Sequence, residues 1–185
     1  MIQSFIESMV VHCIILSPIY FIGRFFVMYD KEKCLIREGC MYIFFLYCVC
    51  IFSQTIVPHF AIINGELDFY FTRAYVSNNF TPFETILLYT EQLSGPLAKI
   101  AFYNLAGNIV LFIPFGILLP FLWRPLRSFW RICIIALFIP LFIEGTQYFI
   151  GRSVDIDDVI LNTCAIIFGY FVFAILERVM KMMNN

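Results

Sequence analysis

Hydrophobic residues fill five long stretches of the chain, and shorter polar connections separate them. The stretches cover residues 5–28, 40–63, 101–123, 132–150 and 158–177. A helix needs roughly 20 mostly apolar residues to cross a bilayer. The pattern therefore predicts an all-α, polytopic membrane bundle of five transmembrane helices.

The composition supports a membrane location. Of the 185 residues, 62% are hydrophobic and only 14% are charged, whereas soluble domains carry about 25% charged residues. The lipid bilayer is thus the first predicted partner. The net charge of −1 and the absence of a basic patch argue against nucleic acid. The seven cysteines form no CxxC pair, so no metal, cofactor or structural disulfide is predicted.

The distribution of lysine and arginine predicts the orientation, because these residues are enriched in cytoplasmic flanks. One side holds nine of them: Arg24, Lys31, Lys33, Arg37, Arg124, Arg127, Arg131, Arg178 and Lys181. The other side holds Arg73, Lys99 and Arg152. The nine belong in the cytoplasm, so the N-terminus is expected outside and the C-terminus inside.

The long second connection, about residues 64–100, is then extracytoplasmic. Thr81-Pro82-Phe83-Glu84 within it has the pattern of a capping box with proline at the first helical position. It predicts a short helix that ends near Leu93, either lying at the outer interface or packed as an ordinary loop helix.

Polar residues that are unusual in membrane spans collect on the predicted outer side. They are Asn104 and Asn108 of the third span, Glu144 and Gln147 of the fourth, Arg152 and Asp155 of the next connection, and Asp158 and Asn162 of the fifth. Spacings of three and four residues place the members of each helical pair on one face, and Asp157 would point elsewhere. We expect one outward-facing polar pocket. Helix capping by the aspartates and hydrogen bonds between helices through the asparagines are the structural alternatives.

Glu144 is the least easily explained of these residues. It follows an apolar run, 132–143, and lies near a helix C-terminus, where the helix dipole disfavours a negative charge. It must be protonated or paired, and Arg152 is the expected partner. Pro114 and Pro140 each remove a hydrogen bond from their span and predict kinks, or a break of the third helix below Asn108.

The ordered set of motifs resembles the VanZ-like family. It comprises Asn79-Phe80-Thr81-Pro82-Phe83-Glu84-Thr85-Ile86, Asn104 and Asn108 with Phe112-Ile113-Pro114-Phe115-Gly116, Glu144 with Gln147, and Arg152 with Asp155, Asp157-Asp158 and Asn162-Thr163. After Asn162-Thr163 the family usually has an apolar residue and a glycine. Here Cys164-Ala165 stands instead, whereas Gly169 fits the later glycine.

The resemblance covers residues 76–173 and divides the chain into a two-span region, 1–75, a VanZ-like domain, 76–173, and a short cytoplasmic tail, 174–185. It implies a multi-pass protein of the bacterial cytoplasmic membrane, a role in the cell envelope and a link to resistance to teicoplanin, a lipoglycopeptide. It implies no reaction.

Three functions remain open on the sequence. The polar pocket could bind a lipid-linked cell-wall precursor or a lipoglycopeptide and so lower drug susceptibility. The protein could instead be a membrane enzyme that modifies a lipid or precursor headgroup, with Glu144 or Asp158 as general acid or base and Arg152 holding an anionic group. A transporter in which Glu144 relays protons is the third possibility.

Overall fold

The computed structural model describes residues 2–28, 35–56, 59–63, 66–70 and 78–183. The chain forms two compact units, Met1–Arg73 and Ala74–Asn185. Lys31, Lys33 and Arg73, which contributed to the orientation argument, lie outside the described residues.

The first unit contains two long helices and a β-hairpin. Helix α1 covers Ile2–Met28 and α2 covers Leu35–Thr55, and they pack against each other. Strands β1 (His59–Ile63) and β2 (Glu66–Tyr70) pair antiparallel. The predicted second span, 40–63, was therefore misplaced, because the apolar residues of β1 prolonged the hydrophobic run beyond the helix.

An ion pair joins the two helices of this unit. The Arg24 guanidinium, which interrupts the first predicted span, donates to both carboxylate oxygens of Glu38, with Nη2–Oε1 and Nε–Oε2 distances of 2.5 and 3.0 Å. A charge near the membrane is tolerated when it is paired in this way. The Cys13 and Cys50 thiols share a hydrogen bond, with 3.8 Å between the sulfur atoms, and form no disulfide.

The second unit contains one short helix and three long ones. They are α3 (Glu84–Gln92), α4 (Ala98–Leu122), α5 (Phe129–Phe149) and α6 (Ile156–Met183). A short 3₁₀ helix, Arg124–Arg127, connects α4 to α5. The predicted tail, 174–185, is the end of α6 as far as Met183.

Five helices of the described chain are long and apolar enough to cross a membrane: α1 through Met9–Phe26, α2, α4, α5 and α6. The prediction of a helical membrane protein with five spanning helices is confirmed. A helix also lies in the second connection where the sequence predicted one. Its location at the membrane interface stays a prediction.

Helices α4 and α6 cross at two glycines. A Cβ atom added to Gly116 would lie 2.0 Å from the Ile166 carbonyl oxygen, and one added to Gly169 would lie 2.2 Å from the Ile113 carbonyl oxygen. Small residues allow such backbone contact between membrane helices. Ala165, which replaces the family's glycine, is buried nearby.

The prolines do not break their helices. Helix α4 continues through Pro114 and Pro120, and α5 continues through Pro140. Because proline has no N–H, Pro140 leaves the Ala136 carbonyl without its helical donor. The Thr163 hydroxyl of α6 donates to that oxygen at 3.1 Å, so the freed carbonyl gains a partner and α5 is tied to α6.

Arginine organises the end of the unit where α4 meets α5, here called the arginine end (Arg124, Arg127 and Arg131). Arg127 donates to Glu177 on α6 at 2.6 Å and to the Pro120 carbonyl at 3.2 Å. The Tyr170 hydroxyl donates to the Arg127 carbonyl at 2.7 Å. These contacts hold the connection against α6.

Candidate functional site

Four carboxylates gather where α5 joins α6. We call this the carboxylate end, defined by Glu144, Asp155, Asp157 and Asp158. Backbone N–H groups and asparagine amides donate hydrogen bonds to these carboxylates, which stabilises them in a partly buried setting.

Asn79 joins the segment before α3 to the start of α6. Its backbone N–H donates to the Val154 carbonyl at 2.9 Å, and its carbonyl accepts from the Ile156 N–H at 3.0 Å. Its side-chain amide donates to the Asp155 carboxylate at 3.0 Å and to the Thr85 hydroxyl at 2.9 Å. The parallel bridge therefore fixes α3 beside the carboxylate end.

Asp157 caps a helix remote from it in sequence. The residue is fully buried, and its carboxylate accepts from the Phe83 N–H at 2.5 Å and the Ile86 N–H at 3.0 Å. Phe83, with φ of 69°, is the residue at the start of α3, and no side chain within the segment caps the helix. The predicted capping box at Thr81 was therefore wrong, because Asp157 supplies the acceptor.

Asp158 and Asn108 form the contact between α6 and α4 at this end. The Asn108 amide donates to the Asp158 carboxylate at 2.5 Å. One turn deeper on α6, Asn162 is 4% exposed, and its Oδ1 atom has no hydrogen-bond partner among the described residues. A buried amide oxygen without a partner is costly.

Glu144 is buried near the end of α5, with 5% of its surface exposed. Its carboxylate accepts from the Asp155 N–H at 3.0 Å. Glu144 also interacts electrostatically with Asp158, Asp155 and Arg152. The expected ion pair between Glu144 and Arg152 stays a prediction.

The other residues predicted for the site differ in how deeply they are buried and in whether they contact the carboxylate end. Gln147 is buried, and its carbonyl accepts from the Arg152 N–H at 2.9 Å. Arg152 is half-buried in the connection. Asn104 is exposed, and no hydrogen bond joins it to the other site residues that the structure describes. The structure thus gathers the predicted residues of α5, α6 and their connection with Asn108 but leaves out Asn104.

A groove of about 420 Å³ opens beside Glu144. We call it the α5–α6 groove. It is lined by Phe80, Leu141, Glu144, Gly145, Tyr148, Phe149, Val154, Ile156 and Val159. Ligand pockets typically occupy roughly 300–1,000 Å³, and here Glu144 is the ionisable carboxylate in an otherwise mainly apolar lining.

The carboxylate end also affects Tyr89 of α3. Burial, followed by the charges of Asp158 and Asp155, raises the pKa of its phenol above the ordinary value. Negative charge dominates the sequence of this region, since residues 78–108 and 141–163 contain six carboxylates and two cations. Among the described residues, no group of three or more His, Cys, Asp or Glu side chains is arranged to hold a metal ion.

Sequence reasoning missed two residues that build the site. Asn79 was part of the motif, but nothing in one sequence showed that it would pair with a segment 76 residues later. Asp157 was set aside because its helical position differs from that of Asp158 and Asn162. That different position is what directs it towards α3.

The family model described as VanZ/LLP1 matches residues 44–177. The match includes α3, α4 and α5 in full and most of α2 and α6. Neither a curated protein nor a solved structure matches the sequence significantly. The resemblance to the VanZ-like family is confirmed over more than half of the sequence. The chain is thus a multi-pass membrane protein that belongs to the VanZ/LLP1 family.

Proposed function

We propose that this protein acts in the bacterial cell envelope by binding the acyl chain of an outer-leaflet lipid in the α5–α6 groove. Occupancy of this site by lipid-linked material lowers susceptibility to teicoplanin-type lipoglycopeptides, whose acyl tails enter the same depth of the bilayer. The observation that carries the proposal is the apolar groove with a buried carboxylate beside it.

The position of the groove favours a lipid chain over a soluble ligand. Leu141, Gly145 and Tyr148 line it, and they belong to a helix long and apolar enough to span the membrane. Lipid is therefore the medium that reaches this surface. Leu141 and Tyr148 are 46% and 58% exposed, so an inserted chain gains contact area without displacing the helix core.

The polar end of the groove sets the depth of the bound molecule. Glu144 lies close to the end of α5, and Val154 belongs to the connection that follows. A chain packed along Leu141 and Gly145 brings its headgroup to Glu144 and the connection. This arrangement supports recognition of an amphiphile at headgroup depth, on the side that the charge pattern assigns to the outside.

The groove can be filled selectively at Gly145. A Cβ atom at this position meets nothing within 4 Å, so a side chain can be attached there, and Gly145→Leu adds volume to the groove. Gly107 of α4 also has no neighbour within 4 Å of an added Cβ and does not line the groove. Gly107→Leu is therefore the matched control.

A deletion strain complemented with each variant tests the proposal. Deletion is expected to increase susceptibility to teicoplanin with little change for vancomycin, because only the former depends on an acyl tail. Wild-type protein and Gly107→Leu restore the original susceptibility, and Gly145→Leu fails to do so at equal membrane abundance. Equal shifts for both drugs, or full complementation by Gly145→Leu, would exclude the acyl-chain mechanism.

The second candidate function is a membrane enzyme that modifies a lipid or precursor headgroup. The electrostatic interaction of Glu144 with Asp158 favours it, because paired carboxylates can divide acid and base roles. Comparison of lipids and muropeptides by mass spectrometry, with wild-type protein and with Asp158→Asn, separates the two functions. A product that requires Asp158 supports an enzyme, and identical profiles support binding alone.

A further inference from the structure

We propose that the first unit binds one soft monovalent metal ion, Cu(I), between the thiols of Cys13 and Cys50 and the thioether of Met9. The site lies between α1 and α2. It is therefore independent of the lipid groove and of the function proposed above, which belong to the second unit. No sequence motif marks the site, because its two cysteines stand on different helices, 37 residues apart.

The two thiols form the core of the site. Both cysteines are free and half-buried, and their sulfur atoms share a hydrogen bond across 3.8 Å. With metal–sulfur bonds of about 2.3 Å, this distance corresponds to an S–metal–S angle of about 110°. A linear, two-coordinate ion would need sulfur atoms about 4.6 Å apart. The observed spacing therefore favours a bent arrangement that has room for a third donor.

Met9 supplies the third donor. It precedes Cys13 by one helical turn on α1, so the two side chains share a face of the helix, and both line a cavity of about 330 Å³ together with Cys50. The Ser17 and Tyr42 hydroxyls also line this cavity, and they share a hydrogen bond of 2.9 Å with each other. The three sulfur atoms are thus the soft donors that the cavity offers to an ion.

The sulfur donors select the metal. Thiolate and thioether ligands favour Cu(I), whereas structural zinc sites use four nitrogen, sulfur or oxygen ligands. Among the described residues, no group of three or more His, Cys, Asp or Glu side chains could hold a metal ion, so zinc lacks the ligands that it requires.

The charge of Cu(I) also suits an apolar membrane span. On binding, the ion replaces the thiol proton that lies between the two sulfur atoms: one S–H bond breaks, a copper–sulfur bond forms, and the proton is released to water. The second thiol and the Met9 thioether coordinate through lone pairs. One positive charge leaves as another arrives, so the site gains no net charge and avoids the cost of burying one.

The site lies near one end of both helices. Met9 begins the spanning segment of α1, and Cys50 lies close to the end of α2 at Thr55. The charge pattern assigns this end of the two helices to the outside. An ion can therefore reach the cavity from the extracytoplasmic water without crossing the bilayer core.

Anaerobic titration of the purified full chain with Cu(I), against the chelator bicinchoninate, tests the site. One ion is expected to bind per chain, and an equal concentration of Zn(II) should not displace it. Cys13→Ser and Cys50→Ser should each weaken binding by more than about 100-fold, the upper range for residues that only orient a ligand, and Met9→Leu by about tenfold. Cys164→Ser, at an exposed thiol of α6, is the control and should leave the affinity unchanged.

A variant in which the other five cysteines are serine isolates the site, because it keeps only Cys13 and Cys50. Retained binding in this variant, with sulfur atoms at about 2.3 Å from the copper in X-ray absorption spectra, would support the proposal even if single substitutions at the two thiols disturb the packing of α1 on α2. Loss of binding in this variant, equal affinity for Zn(II) and Cu(I), or unchanged affinity in Cys13→Ser and Cys50→Ser would overturn it.

Discussion

At the scale of single residues, the most informative contact is the cap that Asp157 provides to α3. A helix start leaves several N–H groups without intrahelical partners, and here two of them donate to a carboxylate more than 70 residues later in the chain. Asp157 therefore couples the position of α3 to the start of α6. Its conventional interpretation, as a cap of its own helix, would have missed this coupling.

Removal of the Asp157 carboxylate should destabilise the second unit. Asp157→Ala leaves the Phe83 and Ile86 amides without their acceptor, at an expected cost of about 2–4 kcal/mol in the free energy of unfolding. Unfolding in mixed detergent micelles measures the loss, and hydrogen exchange should increase first at these two amides. Glu91→Gln on α3 serves as control. Unchanged exchange at Phe83 and Ile86 would show that the cap contributes nothing.

Tyr89 predicts a pH dependence in the alkaline range. Burial and the nearby Asp158 and Asp155 raise the pKa of its phenol above the ordinary value of 10.0. The phenol therefore stays protonated to a higher pH in the folded state than in the unfolded chain. The contribution of Tyr89 to stability is thus complete below the pKa that its phenol has in the unfolded chain. It is lost as the pH rises through the pKa of the phenol in the folded state. As the pH rises from about 8 to 11, the melting temperature should fall less for Tyr89→Phe than for wild type. The exposed Tyr103 gives the control, Tyr103→Phe, and equal losses in all three proteins would contradict the assignment.

At the scale of elements, α4 and α6 depend on close backbone contact. The crossing places Gly116 against the Ile166 carbonyl and Gly169 against the Ile113 carbonyl. No side chain larger than hydrogen fits at either position without movement of a helix. The crossing also sets the distance at which Asn108 reaches Asp158 further along the same pair of helices.

Alanine at the crossing should therefore be destabilising. Gly116→Ala is expected to cost about 1–3 kcal/mol through overpacking, despite the better intrinsic helix propensity of alanine. Gly107→Ala on the same helix has open space and should be neutral or stabilising by up to about 1 kcal/mol. Thermal stability of the two purified variants checks the difference. Equal stability would show that the α4–α6 contact is looser than described.

The sequence predicted the long helices better than their connections. Long apolar stretches identified α4, α5 and α6 because burial in lipid dominates their composition. The hairpin of β1 and β2 was missed, since Phe60, Ile62 and Ile63 look like a continuation of α2 when only hydrophobicity is considered. The resemblance supplied Asn79 and Asp157, but their roles depend on tertiary pairing that no local spacing encodes.

At the scale of the whole chain, the second unit has opposite chemistry at its two ends. Asp158 and Glu177 are separated along α6 by about 28 Å at 1.5 Å per residue, close to the roughly 30 Å of a bilayer core. Acidic residues dominate near the first of them and arginines near the second. This asymmetry supports the orientation with the carboxylate end outside.

Cysteine labelling of intact cells tests the orientation. In a background without the seven native cysteines, Ser94→Cys should react with a membrane-impermeant maleimide, because it follows α3 at the proposed outer side. Ser128→Cys, between the 3₁₀ helix and α5, should react only after the cells are permeabilised. Both serines are exposed. The opposite pattern of labelling would place the carboxylate end in the cytoplasm.

The most direct test of the central claim is photo-cross-linking of lipids with a diazirine in the acyl chain to the protein in its native membrane. Peptide mapping should find adducts concentrated at the α5–α6 groove, at Leu141, Tyr148 and Val159. These adducts should disappear in Gly145→Leu and persist in Gly107→Leu. Adducts spread evenly over lipid-exposed positions such as Ile134 and Phe138, with no response to Gly145→Leu, would contradict the account.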